Sequence, residues 1–222
     1  MPRFSVYLLD FDGTIAATLP AGVKCLARTL LDYGATVPEE RISAAIGKGE
    51  LLESAVARLM PSLPAADIPG FVARYRELYP DIDRELTHLF DGARETIADL
   101  HRAGCKIVVL SNKGRAALET VLARFGLRDK TTAVLAADPG LPVKPDPEVF
   151  RQRVLPLFDG LARSDFVMVG DTTADIAFAQ AAGIASCWAS YGYGDPAACR
   201  AMEPDFVVDT LPDLLSIGGG PA

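Results

Sequence analysis

The sequence predicts a doubly wound α/β fold with an all-helical segment inserted after its first strand. Two patterns lead there. From Asp91-Gly92 onward, short apolar runs alternate with helical periodicity, as in a parallel sheet covered on both faces. Those runs are nearly continuous in apolar residues rather than alternating, which marks strands buried on both sides. Residues 19 to 80, by contrast, show helical periodicity and no strand pattern.

In chain order, Phe4 to Leu9 is the first strand, bounded by the turn signal Asp10-Phe-Asp12-Gly-Thr14. Val23, Leu26, Ala27, Leu30 and Leu31 then mark one face of a helix ending near Gly34. A second helix opens at Pro38-Glu-Glu and runs through Ile46. Leu51, Leu52, Ala55 and Leu59 mark a third over Glu50 to Met60, and Phe71, Tyr75 and Leu78 a fourth before Pro80. Next come a helix over 93–103, a strand over 105–110 and a helix over 115–125. A strand at 132–136 precedes a helix at 147–157. The series closes with a strand at 166–170, a helix at 174–182, a strand at 184–188 and a strand near 206–208. Gly218-Gly-Gly-Pro-Ala222 is expected to be disordered.

Composition narrows the function. The 222 residues are 50% apolar and 23% charged, ordinary for a globular protein. The apolar runs are strand-sized, too short to span a membrane. The start Met-Pro-Arg-Phe-Ser has no leader pattern, so the cytoplasm is the expected location. Four cysteines, Cys25, Cys105, Cys187 and Cys199, have no Cys-x-x-Cys spacing, and buried free thiols are expected. His88 and His101 are isolated and read as surface or satisfied residues. The net charge of −7 comes without a basic stripe, which leaves nucleic-acid binding without electrostatic support. An acidic chain that handles an anion must neutralise it locally, and a metal ion would do so.

In open α/β sheets ligands bind beyond the carboxyl ends of the strands. Four such ends here carry polar residues: Asp10 and Asp12; Ser111-Asn112-Lys113; Lys144 between Val143 and Pro145; and Asp171-Thr-Thr-Ala-Asp175. Each admits a plainer reading. Asp10 to Thr14 suits an Asx-type turn. Ser111-Asn112 suits an N-cap for the helix starting near Arg115, and Lys144 a solvated loop. Asp171 and Asp175, one helical turn apart, either converge on a point or cap the helix. Lys113 is expected at the surface, where it would at most supplement the local positive field.

Taken in order, the four segments resemble the motifs of the haloacid dehalogenase superfamily, in its phosphatase branch. Tyr191-Gly-Tyr-Gly194 after the fifth sheet strand is similar to the phosphoglycolate phosphatase-like group. The resemblance implies a Rossmann-like core over 1–16 and 85–222 and a helical cap over 17–84, hinged near 15–20 and 81–90. It implies hydrolysis of a small phosphate monoester through an aspartyl-phosphate, with 2-phosphoglycolate as leading substrate. Pyrophosphate, nucleoside monophosphates and sugar phosphates are alternatives, and so is a non-catalytic binding relative. Asp10 would be the nucleophile and Asp12 the general acid and base; Asp12 weighs against the dehalogenase branch. Ser111 and Asn112 would bind phosphoryl oxygens, with Thr14 among the substrate-binding residues, and Lys144 would place a cation against the transferring group. Asp10, the Asp12 carbonyl and Asp171 would hold Mg²⁺, with Asp175 in the metal set or supporting it. Hard oxygen donors suit that ion.

One departure is evident: the group's usual Asp beyond the first motif is missing, and Ala17-Thr18 stands there. Gly47-Lys48-Gly49 in the insertion reads either as a loop reaching substrate through Lys48 or as a plain helix linker. Trp188, Tyr191 and Tyr193 read as core and loop packing.

Overall fold

Period-two alternation decides which way each strand's side chains go. In the computed structural model, which describes residues 2–217, the chain runs β1 (Val6–Leu9), β2 (Ala16–Ala17), α1 (Leu19–Asp32), α2 (Glu39–Ile46), α3 (Leu52–Leu59), α4 (Ile68–Leu86) and β3 (His88–Leu89). It continues through α5 (Ala93–Arg102), β4 (Lys106–Gly114), α6 (Arg115–Arg124), β5 (Ala133–Ala137), β6 (Phe166–Gly170), α7 (Thr173–Ala182), β7 (Ala185–Ala189), α8 (Pro196–Ala201) and β8 (Phe206–Val208). The expectation for Gly218 to Ala222 lies outside the described residues.

Six strands form one parallel sheet in the order β5-β4-β1-β6-β7-β8. Tyr7, Leu9, Ile107, Val109, Val167 and Val169 face a core built with α5 and α6. Val6, Leu8, Val108, Leu110, Phe166 and Met168 face the opposite core, with Phe150 and Phe178. Both faces are therefore covered, as the continuous apolar runs predicted. Each fully buried side chain of this size contributes about 1.5–3 kcal/mol. The chain winds outward from β1 to β5, then crosses back to place β6 on the other side of β1. That reversal opens a crevice at the carboxyl ends of β1 and β6.

The inserted helices bury their own apolar faces against one another: Leu26, Leu30, Ile42, Val56 and Phe71 form a cluster separate from the sheet cores. The described helices include none long and apolar enough to cross a membrane.

Local details differ from expectation. α4 continues through Pro80 to Leu86 instead of stopping before the proline. An interior proline costs about 3 kcal/mol, but the turns beyond it are anchored. Tyr79, Ile82 and Leu86 pack with Cys25 and Ala117, while Arg124 donates to the Asp83 carboxylate (2.9 Å) and to the Asp83 and Arg84 carbonyls. Residues 81–86, expected in a hinge, are thus helical. The two crossings instead meet in a two-stranded antiparallel ribbon, Ala16 opposite Leu89 and Ala17 opposite His88, which the sequence did not signal. The segment expected as a helix over 147–157 is helical over 148–157, but it passes into π-helical geometry at Phe150–Val154 and closes in a tight turn, Leu155–Leu157, in which Pro156 has no N–H to continue it. α8 was not anticipated. The four cysteines are free and buried, and His88 and His101 are exposed.

Candidate active site

Asp10 is the first residue beyond β1, and its N–H donates to the Val169 carbonyl at 2.9 Å, so the ladder to β6 extends into the site. The chain then turns sharply. Gly13 takes φ +82°, and a Cβ there would collide with the Asp171 carboxylate. Only glycine meets both demands. Thr14 Oγ1 donates to Asp171 Oδ1 at 3.3 Å.

Asp171 follows β6 and is fully buried. The Tyr193 N–H donates to its Oδ2 at 2.7 Å, and Trp188 Nε1 donates to its carbonyl at 3.1 Å. Gly192 is required because a Cβ would press into the Asp171 side chain. Tyr191-Gly-Tyr-Gly194 is therefore more than loop packing: its backbone fixes the orientation of Asp171.

Lys144 is not a solvated loop lysine. Its side chain is 2% exposed and its ammonium lies 2.8 Å from Asp10 Oδ1 and 2.6 Å from Asp175 Oδ1. The other oxygen of Asp175 accepts from Thr172 N–H (3.0 Å) and Thr172 Oγ1 (2.8 Å). Asp175 thus caps α7 with one oxygen and holds Lys144 with the other. Carboxylate oxygens of Asp10, Asp171 and Asp175 lie within 4.8 Å of one another, all buried.

Two carboxylates share one ammonium here, and the electrostatics follow. Burial pushes the Asp10 carboxyl up to about 7; Lys144 opposes this, while Asp175 and Asp12 add to it. Burial, then Asp10 and Asp175, push Asp171 well above the usual carboxylate range. Burial alone would lower Lys144, but the charges of Asp10 and Asp175 outweigh it and hold the ammonium above its ordinary value. Asp10 keeps a proton to about pH 7 when folded but only to its ordinary 3.8 when unfolded. The folded state therefore binds more protons between those values. The resulting stabilisation is complete below the unfolded pKa and lost as pH rises through the folded one. In chelator, the melting temperature is expected to fall between pH 5 and pH 8, read by calorimetry; a rise across that window would contradict the burial of Asp10.

Ser111 and Asn112 do not cap α6, whose N-cap is Gly114 without a side-chain bond. β4 continues through them with a register shift between Leu110 and Gly114. The buried Ser111 hydroxyl accepts the Lys113 N–H at 3.2 Å. Asn112 is committed to backbone: its Nδ2 donates to the carbonyls of Gly49 and Lys144, both at 2.9 Å, and its Oδ1 accepts the Lys144 N–H at 3.1 Å. Gly49, in the helical insertion, thus touches the site through its main chain. Lys48 is exposed, and no ion pair is found for it among the described residues.

Lys113 is the residue whose position the sequence misjudged. It is largely buried, 12% exposed, and pairs with Asp12 Oδ1 at 3.0 Å. Its placement beside Tyr79 of α4 depends on a contact between residues 34 apart, which local pattern does not reveal. The available signal was its spacing of two from Ser111, which puts both on one side of an extended segment.

The chain is matched over residues 7–189 by the family model for haloacid dehalogenase-like hydrolases. It is 34% identical over 214 residues to a protein of Cupriavidus necator named phosphoglycolate phosphatase, plasmid, covering 93% of this chain and 90% of that one. It is 27% identical to pyrophosphatase PpaX of Halalkalibacterium halodurans, covering 98% of each. Among solved structures it resembles that of a predicted phosphoglycolate phosphatase from Haemophilus somnus 129pt, with TM-score 0.86, 25% identity and coverage of 98% and 99%. With a match across most of its length and the fold to accompany it, the chain belongs to the haloacid dehalogenase-like hydrolase family.

Proposed function

We propose that the protein is a Mg²⁺-dependent phosphatase that hydrolyses a small phosphate monoester through an aspartyl-phosphate on Asp10. The observation that carries this reading is the buried ensemble at the switch point: Asp10 beside Asp171, with the Lys144 ammonium 2.8 Å from Asp10. A carboxylate nucleophile splits one slow step into two. An Asp10 oxygen attacks phosphorus as the ester P–O bond breaks, and Asp12 gives its proton to the departing oxygen. Asp12 then takes a proton from water as that water attacks phosphorus and frees Asp10 with inorganic phosphate. Lys144 and the Ser111 hydroxyl would stabilise charge on the phosphoryl oxygens. One positioned acid or base contributes about 10²–10⁴-fold, so these groups must act together.

The donor set fits a hard divalent cation. Buried carboxylate oxygens converge within 4.8 Å, and among the described residues the cations paired with the four carboxylates are Lys144 and Lys113. Asp10, the Asp12 carbonyl and Asp171 would hold Mg²⁺; Asp175, with both oxygens engaged by Lys144 and Thr172, supports Lys144. The bound ion would supply positive charge to the phosphoryl group.

Residues 17–84 would serve as the cap, its main chain at Gly49 tied to Asn112; a closing cap excludes water. 2-Phosphoglycolate is the leading substrate, on the strength of the Cupriavidus relative's name. The PpaX relative's name keeps pyrophosphate as the second. A panel including these two, nucleoside monophosphates and sugar phosphates, assayed with Mg²⁺, is expected to show turnover highest on 2-phosphoglycolate. Rapid acid quench should trap a phosphoryl group on the Asp10 peptide. An inert protein across that panel would restore the binding-relative reading.

A further inference from the structure

The ammonium of Lys113 has two partners drawn from different parts of the chain. It donates to Asp12 Oδ1 at 3.0 Å, beyond the first strand, and to the Tyr79 hydroxyl at 2.7 Å, on α4 of the helical insertion. It also lies 4.4 Å from the centroid of the Tyr79 ring, which is stacked on Tyr75 with centroids 5.3 Å apart. Among the described residues, the Asp12 carboxylate has no other hydrogen-bond partner. A side chain kept here for packing alone would be apolar, since burying an ammonium costs more than its Coulomb return unless its partners are well placed.

We propose that Lys113 is the positioning residue for Asp12 and makes the placement of that carboxylate depend on the seat of α4. This rests on the role given to Asp12 under Proposed function. Asp12 must come within about 2.6–3.2 Å of the departing oxygen to deliver its proton. A displacement of about 1 Å costs up to 10²-fold in rate. Lys113 removes the alternative rotamers of Asp12, and the Tyr79 hydroxyl in turn holds Lys113. When α4 is properly seated, the proton donor is in register; when it is not, Asp12 loses its guide.

The test is the dependence of kcat/KM on the leaving group, at saturating Mg²⁺. Ethyl phosphate needs a proton on its departing oxygen, whereas 4-nitrophenyl phosphate expels a stable anion without one. Lys113→Met is expected to lower kcat/KM for ethyl phosphate about 10²-fold and for 4-nitrophenyl phosphate by less than about fivefold. Lys113→Arg should recover part of the difference. Tyr79→Phe, which keeps the ring, should change the ratio in the same direction by about threefold or more. Because each ratio is taken within one preparation, partial unfolding cancels. Equal losses on both esters, or no loss, would overturn the proposal. A loss confined to 2-phosphoglycolate would also overturn it, by showing that Lys113 binds the substrate's carboxylate instead. A parent protein inactive on all three esters would remove the functional reading itself, and this inference with it.

Discussion

An Asp10→Asn variant is expected to lose turnover by about 10⁴–10⁶-fold, the scale on which removal of a covalent nucleophile acts, while melting no lower than the parent. The amide cannot attack phosphorus, and the remaining groups stabilise charge without a bond to form. The stability half of the expectation comes from the surroundings of Asp10. Its carboxylate is buried and shares one ammonium with Asp175, close to Asp171. A neutral amide of the same shape still accepts from Lys144 and removes one like charge. In chelator at pH 8, where Asp10 in the parent has lost its proton, the variant should therefore melt higher. Progress curves and calorimetry on one preparation check both halves. Turnover close to the parent's would remove Asp10 as nucleophile; a collapse of the melting temperature would make the activity loss uninformative about chemistry and contradict the charge argument.

Removal of divalent metal is the second large effect. When all four are ionised, Asp10, Asp12, Asp171 and Asp175 outnumber Lys144 and Lys113 by two charges. With Lys113 at the surface, where the sequence places it, the excess would be three; its pairing with Asp12 reduces it. A phosphate dianion approaching such a pocket is repelled at close range, where screening by salt is weak. EDTA is expected to reduce ester hydrolysis below about 1% of its rate, since metal ions contribute several kcal/mol to transition-state charge. Excess Mg²⁺ should restore it. Binding should also be visible without substrate. At a concentration about 100 times its Kd, the ion adds about 2.7 kcal/mol to stability. In a chain of this size that corresponds to about 5–10 °C in Tm. The shift should be greater at pH 8 than at pH 5, because the ion competes with the proton that Asp10 holds to about pH 7. Full activity in EDTA would refute the metal assignment.

The parts of this molecule that were legible in the sequence are those written locally. Continuous apolar runs such as Phe166 to Val169 declare a doubly covered strand, and a parallel sheet then brings Asp10 and Asp171 together without further information. Lys144 was legible for a related reason, as a lysine between Val143 and Pro145 after a strand. What escaped depends on distant partners. The Pro80 region reads as a helix end, and residues far along the chain, Cys25, Ala117 and Arg124 among them, overrule it. The strands Ala16–Ala17 and His88–Leu89 are too short to carry a period. Lys113 looked like one more charged residue before a helix; the phenol that gives it a purpose comes from α4.

The ribbon joining the two crossings has an architectural consequence. Ala17 and His88 are opposite partners, so the polypeptide leaves the sheet domain and re-enters it at neighbouring points, where facing Cα atoms stand about 4.5–5.5 Å apart. Everything between them is, topologically, a long excursion from a hairpin. A helical segment of another size or shape can be grafted at that doorway with its two ends already side by side, and the sheet beneath keeps its strand order.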